Sequence, residues 1–564
     1  MSRHLDGRQH RERWRLSDEA GIGVQDAGAM CLPTLVLELQ NVRPFSVLFF
    51  TRRPKQRAQP LGKRDLIDGV EVLTGKHRHA VGCDQPAKLL DLVVGDMTKV
   101  DVGDFNTRLT RQQLVVDNGV PRIVNYSAHV LQYYARSVPG EKSLSGRGPA
   151  VADHIDIDLF DPASFASGVP HPAFATLRAQ APVAFHEERP KRRGGRSGPG
   201  FWCVTTHEHV HEVSRQPDIY SSFLGGFTAS DISGAVLDET RMNLMGMDPP
   251  DHTAFRAVLR DPFGPRIVRD LEATVEGFAV DIVDRLVIQA AATPDGEAID
   301  FVDAVAKEIP LLVLANLLGI RADDRQLFFD WSNRIIGNHD PDVGGSVQDF
   351  LAAKDELFAY GRQVIAEKRI APGDDLISAV VGAELDGKPV DEQKIVMLWF
   401  LLLIAGNETT RSSLTGAMEM LSTHSDQREL LMSELDLNLP GFVEETLRCT
   451  NPVLHFRRTA AVDTELGGVQ IKAGDKVVLW YPSANADEKM FDDPMRFDLT
   501  RSPNQHLAFG IGTHFCLGAR LARLQMRVML KELLTRCPNI EVSGPARRIH
   551  SNFLHGALTL PVTV

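Results

Sequence analysis

Cys516 sits in the stretch Phe509-Gly510-Ile511-Gly512-Thr513-His514-Phe515-Cys516-Leu517-Gly518. A thiolate is a soft, anionic ligand, and its pKa falls at a helix N-terminus or on a metal. The glycines let the backbone pass close to a flat ligand and supply the φ/ψ values of a tight loop. The pattern that follows, Ala519–Leu534, reads as a long amphipathic helix. On these residues alone three readings stand. The cysteine is held toward a metal, with backbone N–H groups near its sulfur. Or it is a buried structural cysteine, the usual fate of a free one. Or His514 and Cys516 are half of a zinc site, which needs about four ligands; no second Cys/His cluster lies nearby in the sequence.

Three further segments carry reactive pairs. In Met247–Arg256, Pro249 and Pro250 can start a helix, and His252 and Arg256 lie four apart on one face. Paired cationic donors suit carboxylates, although such a pair is more often a solvated face. In Leu403–Thr410, a glycine, an asparagine, Glu408 and the threonines Thr409 and Thr410 interrupt one long predicted helix, Asp391–Thr423. A threonine can bond the carbonyl one turn back. A buried acid left unpaired costs roughly several kcal/mol, so the helix either surfaces here or the acid has a use. Glu445 and Arg448 at i,i+3 read as a helical ion pair, worth roughly a few tenths of a kcal/mol.

The cysteine loop, F-G-x-G-x-H-x-C-x-G with all six fixed positions present, resembles the heme-ligand loop of the cytochrome P450 superfamily. The resemblance implies that Cys516 is the proximal thiolate ligand of heme b iron, favouring O–O cleavage. It also implies that M-D-x-P-x-H-x-x-x-R supplies His252 and Arg256 to the heme propionates. Arg458, opening R-T-A-x-x-D, and His506 match further propionate ligands. A-G-x-[DE]-T-[TS] makes Glu408 the acid and Thr409 the alcohol of a proton-delivery pair, which oxygen activation needs. Glu445-x-x-Arg448 with Arg496 matches a buried structural triad. These motifs occur in superfamily order over residues 153–564. The implied fold is mainly α with a small β region, the heme-thiolate fold.

What the resemblance implies about activity is a monooxygenase that hydroxylates an unactivated C–H bond with O2 and two electrons. No flavin or iron–sulfur domain is recognisable, so a separate ferredoxin and an NAD(P)H-linked ferredoxin reductase are expected. Arg520, Arg523, Arg527 and Lys531 follow Cys516 on its helix and are candidates for a basic docking face; the bland alternative is a solvated helix face. The phrases Ala405–Arg411, His455–Ala460 and Ser551–Gly556 look most like actinobacterial enzymes acting on steroid side chains, methyl-branched lipids or terpenoids, with a linalool-type terpene alcohol as the alternative. The expected pocket lining, Leu402, Ala405, Val453, Leu454, Phe553 and Leu554, is apolar throughout. A peroxide-driven peroxygenase or a non-catalytic heme sensor would have less use for Glu408 and Thr409.

Composition bounds the rest. The 564 residues are 43% hydrophobic, enough for a large core. Six scattered cysteines without a framework spacing suit a reducing cytoplasm. The longest apolar run, Ile395–Ala405, falls short of the roughly 20 residues that span a bilayer. No signal-peptide layout opens the chain. Residues 1–150 carry 22 Lys+Arg against 16 Asp+Glu, and the remainder 40 against 58. The basic residues are scattered without interleaved aromatics, so nucleic-acid binding is not expected. Residues 1–150 lack sustained periodicity or a catalytic motif. They are expected to be a disordered or accessory extension, or sequence upstream of a misassigned start, with Gly140–Gly148 a linker to the domain at 151–564. In that domain Val183–His186 and Gly200–Thr205 read as strands around a basic Glu187–Gly198 loop. Gly468–Val478 reads as a hairpin, and Phe301–Leu318 and Ser346–Lys368 read as helices.

Overall fold

The structure, a computed structural model, describes residues 149–188, 198–294, 296–337 and 346–564, together with six short strands between residues 34 and 125. Two compact units result, Met1–Gly140 and Glu141–Val564. In the first, Thr34–Leu37, Leu48–Thr51, Val70–Thr74 and His77–Val81 form an antiparallel sheet in chain order, and Gln112–Asp117 pairs with Val120–Asn125. The predicted linker and the basic loop centre lie outside the described residues.

The second unit is mainly helical. Its principal sheet contains β1 (Val183–His186), β2 (Phe201–Val204), β3 (Tyr220–Ser221), β4 (His455–Ala460) and β5 (Lys476–Trp480). The spatial order is β1-β2-β5-β4-β3, with β2 and β5 parallel and the other pairs antiparallel. Side chains alternate between two cores, as a pleated strand requires. Trp202, Val204, Val477 and Leu479 pack with Val210 and Tyr220 on one face. Phe201, Cys203, Val478 and Trp480 pack with Phe174 and Leu177 on the other. Both faces of β2 and β5 are covered, which is why apolar side chains stand at successive positions along them. The hairpin read over Gly468–Val478 is displaced. Thr464–Leu466 pairs with Val469–Ile471, and Lys476 onward belongs to the main sheet.

The helices that position the site are α1 (His171–Gln180), α2 (His207–Ser214), α3 (Asp251–Arg260), α4 (Glu272–Ala292), α5 (Glu308–Leu317), α6 (Arg325–Gly337), α7 (Val347–Ile370), α8 (Glu392–Thr423), α9 (Leu435–Thr450) and α10 (Ala519–Arg536). Helix α8 is the axis: it touches α5, α6, α7, α9 and α10. Asp391 caps it by accepting from the N–H groups of Gln393 and Lys394. Gly416 lets α9 approach closely, since a Cβ there would lie 2.2 Å from Thr450 Cγ2. Ser346 caps α7 rather than joining it, in a capping box with Asp349. The single helix read over Phe301–Leu318 is a π turn, Val302–Ala306, followed by α5. Among the described residues no helix is long and apolar enough to cross a membrane.

Candidate heme-thiolate site

The loop before α10 folds around a single 3-10 turn, Gly512–His514. The Cys516 N–H donates to the Phe509 carbonyl at 2.8 Å and closes it. Gly512 has φ +73°, and a Cβ there would lie 2.3 Å from the carbonyl oxygen of Ser214, the last residue of α2. Only glycine fits that seat, so the loop is pinned against α2 while Cys516 precedes the N-terminus of α10. Burial pushes the free thiol up, while the Gly518 N–H, Arg256 and Arg523 favour the thiolate. A cation on the sulfur is what would complete the balance.

Beside the loop lies a group of basic side chains, with the partly buried Asp248 carboxylate the nearby opposite charge that acts on Arg458. His252 on α3 is 1% exposed, and neither of its ring nitrogens has a hydrogen-bond partner. An unmet buried polar atom costs about 1–3 kcal/mol. The His514 ring stands 4.3 Å from that of His252. Arg458 on β4 is 6% exposed and donates to the Arg457 carbonyl at 2.8 Å. Among the described residues no carboxylate pairs with it. Burial, then Arg256 and Arg458, hold His252 at about 4. Burial, then Arg458 and His252, hold His514 well below the usual imidazole value. His514 Nε2 also lies 3.4 Å from Ser222 Oγ, so the unmet nitrogens are those of His252; with the Arg458 guanidinium beside them they fit an anionic group carrying carboxylates, as heme does. Arg256 bonds the Phe515 carbonyl and ties α3 to the cysteine loop. His514 was not singled out as a propionate-side residue by the sequence, although it is a fixed position of the loop pattern.

His506 is placed otherwise than expected. Its Nε2 lies 3.1 Å from Glu444 Oε2, and its Nδ1 accepts from the Ala508 N–H at 3.2 Å. Both nitrogens are thus committed within the protein rather than to a propionate. Glu444 also grips Arg523 through two bonds of 2.6 and 2.7 Å. Burial raises that carboxyl, but Arg523 and His506 outweigh it and hold it at about 2.

On α8 the expected acid and alcohol face different neighbours. Thr409 Oγ1 donates back to the Ala405 carbonyl at 2.8 Å. Ala405 is exposed although it sits mid-helix, with Leu402 and Thr409 partly open on the same face and Leu403, Asn407 and Glu408 buried behind. That face of α8 is the side its neighbours leave uncovered. Glu408 is 1% exposed and is bonded through Oε1 by Arg411, one turn on; Oε2 has no partner. Burial raises its pKa, and Arg411 opposes the shift. The Ser551–Gly556 turn closes on this point: a Cβ at Gly556 would lie 3.0 Å from Glu408 Oε1. Arg411 is a partner that sequence reading missed.

Glu445 and Arg448 on α9 form a fully buried bidentate pair, 2.8 and 2.7 Å. The third member is Arg501, not Arg496. Arg501 Nε lies 3.0 Å from Glu445 Oε1, whereas the Arg496 side chain is exposed and only its carbonyl accepts, from Arg448 and Arg501. Of the expected pocket residues, Val453, Phe553 and Leu554 are partly open, and Val453 bridges Leu554. Leu454 is corrected: it is 0% exposed and packs in the core with Phe174 and Trp480.

A family model described as cytochrome P450 matches residues 314–539. The methyl-branched lipid omega-hydroxylase of Mycobacterium tuberculosis is 38% identical over 74% of this chain and 97% of its own length. Linalool 8-monooxygenase of Pseudomonas putida is 37% identical over 72% and 98%. Among solved structures, Mycobacterium marinum cytochrome P450 CYP268A2 in complex with pseudoionone superposes with a TM-score of 0.67 at 36% identity, covering 73% of this chain and 99% of that one.

Proposed function

The chain belongs to the cytochrome P450 family of heme b monooxygenases, and on that premise we propose that it hydroxylates a branched, apolar chain. The observation that carries this reading is the apolar, partly open set Leu402, Ala405, Val453, Phe553 and Leu554. A relative named for methyl-branched lipids and one named for linalool support it, since both substrates are branched and lipophilic. A sterol side chain shares that chemistry. A binding series of phytanic acid, linalool and cholestenone, read by the optical shift when ligand displaces iron-bound water, tests it. Binding of linalool alone favours the terpene alcohol reading, and no shift with any of the three sinks the proposal.

In this reading Cys516 holds the heme iron, Arg458 offsets propionate charge, and His252 and His514 donate hydrogen bonds to the propionates. Heme so bound supplies reductive activation of O2. Replacing His252 with leucine removes a charge-assisted bond worth about 1.5–3 kcal/mol. Heme transfer to apomyoglobin is then expected to run about ten- to a hundredfold faster, and an unchanged rate would remove His252 from the propionate set.

Thr409 presents its hydroxyl on the open face, and Glu408 lies one residue deeper. The carboxylate exchanges between Arg411 and water, and carries protons inward to the Thr409 hydroxyl. Thr409→Ala is expected to lower the fraction of NAD(P)H electrons that reach product by about tenfold, with peroxide rising to match. Unchanged coupling argues against the relay.

Electrons come from a cytoplasmic ferredoxin and its reductase. On α10, Glu444 neutralises Arg523, and Asp436 neutralises Lys531 at 2.6 Å. Arg520 and Arg527 remain exposed without an ion pair among the described residues, and they are the docking charges. The enzyme is assigned to residues 151–564, and residues 1–150 are an extension without a part in the chemistry.

A further inference from the structure

His455 opens β4 with its side chain buried, 1% exposed. Its Nδ1 lies 2.8 Å from the Asn552 carbonyl oxygen, and its Nε2 lies 3.2 Å from the Ala229 amide nitrogen. A carbonyl can only accept and an amide N–H can only donate. The ring must therefore carry its proton on Nδ1 and accept at Nε2. One neutral imidazole thus joins two segments more than three hundred residues apart: the loop after β3 and the Ser551–Gly556 turn. Burial, which pulls the ring down to about 4, is consistent with that neutral form.

The surroundings multiply the effect of this junction. The imidazole packs between Trp480, at 5.0 Å, and Phe553, at 5.4 Å. The Arg457 N–H donates to the Phe227 carbonyl at 2.8 Å, and the Leu454 N–H to the Phe553 carbonyl at 2.8 Å. Asp231 in the same loop pairs with Arg457 at 2.9 Å. The two segments and β4 each contribute one phenylalanine to a wall. Phe456 stands 6.2 Å from Phe227 and 5.7 Å from Phe553, and Phe227 stands 6.4 Å from Phe553. These rings continue the stretch that holds Val453 and Leu554. Where the wall stands depends on both segments being held to β4 at once.

We propose that His455 is a positioning residue that locks the Phe227 loop to the Phe553 turn, and so fixes which carbon of the substrate is presented for oxidation. The inference rests on the reading that Val453, Phe553 and Leu554 line the substrate side.

His455→Phe keeps an aromatic ring and removes both bonds. His455→Asn keeps a donor near Nδ1 and loses the bond to Ala229. Both are compared with wild type as full-length holoprotein, with the reduced carbon monoxide spectrum reporting an intact site. In His455→Phe, amide hydrogen exchange is expected to quicken about tenfold at Ala229 and at Phe553 and Leu554 together, as loss of a buried bond predicts. In His455→Asn only Ala229 should quicken. With phytanic acid as the probe, His455→Phe is expected to change the ratio of oxidised positions at least about threefold while total turnover changes less. Unchanged exchange at Ala229 overturns the proposal, as does an unchanged product ratio in a variant whose exchange has quickened. Failure of wild type to bind phytanic acid would count against the substrate reading instead, and the exchange measurement still decides the junction.

Discussion

Cys516→Ser is expected to abolish the strongly red-shifted Soret band of the reduced carbon monoxide complex and to lower monooxygenation at least about a thousandfold, equivalent to about 4 kcal/mol of barrier. The reason lies in the ligand. A serine hydroxyl is hard and stays protonated near neutral pH, so it cannot supply the anionic sulfur that favours O–O cleavage. Heme itself should be retained if His252, Arg458 and His514 hold the propionates as proposed, because the change leaves them untouched. The expected holoprotein therefore keeps its heme content and loses its spectrum and its turnover. A variant that retains the red-shifted band would show that another residue ligates the iron. Loss of heme altogether would mean that the sulfur, not the propionate cluster, carries most of the binding. Burial by itself pushes the Cys516 thiol up, with Gly518, Arg256 and Arg523 opposing. If Cys516 holds the heme iron as proposed, ligation would overcome that burial and make the sulfur anionic, and reconstitution with metal-free porphyrin should leave it a thiol.

How much of this site the sequence revealed follows the range of the interactions. Short-range chemistry was readable. The Cys516 loop, the His252/Arg256 face, the Glu408-Thr409 interruption of α8 and the Glu445/Arg448 pair are each fixed by spacing within one or two helical turns. The choice among distant partners was not. Arg496 and Arg501 lie five residues apart in one irregular segment, and nothing local says which reaches Glu445. His506 was read toward a propionate because nothing local places Glu444, sixty-two residues earlier, against its ring. Leu454 was misread for a different reason. Alternation along the approach to β4 puts Val453 outward and Leu454 into the core, but the strand begins only at His455, so the phase was not visible. Gly468–Val478 reads as one hairpin because it alternates, and nothing local shows that Lys476–Val478 leave it to pair with β2 and β4 in the main sheet. His455 itself gave no warning: both of its partners are backbone groups of remote loops.

The corrected triad supplies the largest expected effect on stability. Glu445 accepts from Arg448, Arg501, Asn504 and the Asp498 N–H, and it is 0% exposed. Arg448 is held in turn by the carbonyls of Asn485 and Pro494 at 2.9 and 2.7 Å. Burial raises the Glu445 carboxyl, and these donors, Arg448 first, outweigh it and hold its pKa below the usual carboxylate value. Removing one partner leaves an uncompensated buried charge, which costs about 3–5 kcal/mol. Glu445→Gln is expected to lower the unfolding free energy of the holoprotein by that amount, measured by urea titration with heme absorbance and circular dichroism in parallel. Arg501→Ala should cost less, since that guanidinium is partly exposed and Arg448 remains. Arg496→Ala should fall within about 0.5 kcal/mol of wild type, because the backbone carbonyl it contributes survives the substitution. The order of these three effects decides the assignment: an Arg496→Ala loss as large as that of Arg501→Ala would return Arg496 to the triad. The sign with pH follows from the lowered carboxyl. Its contribution is present in full above the unfolded carboxylate pKa and is lost as pH falls through the folded one. Wild type should therefore lose more stability on acidification than Glu445→Gln, whose amide does not titrate.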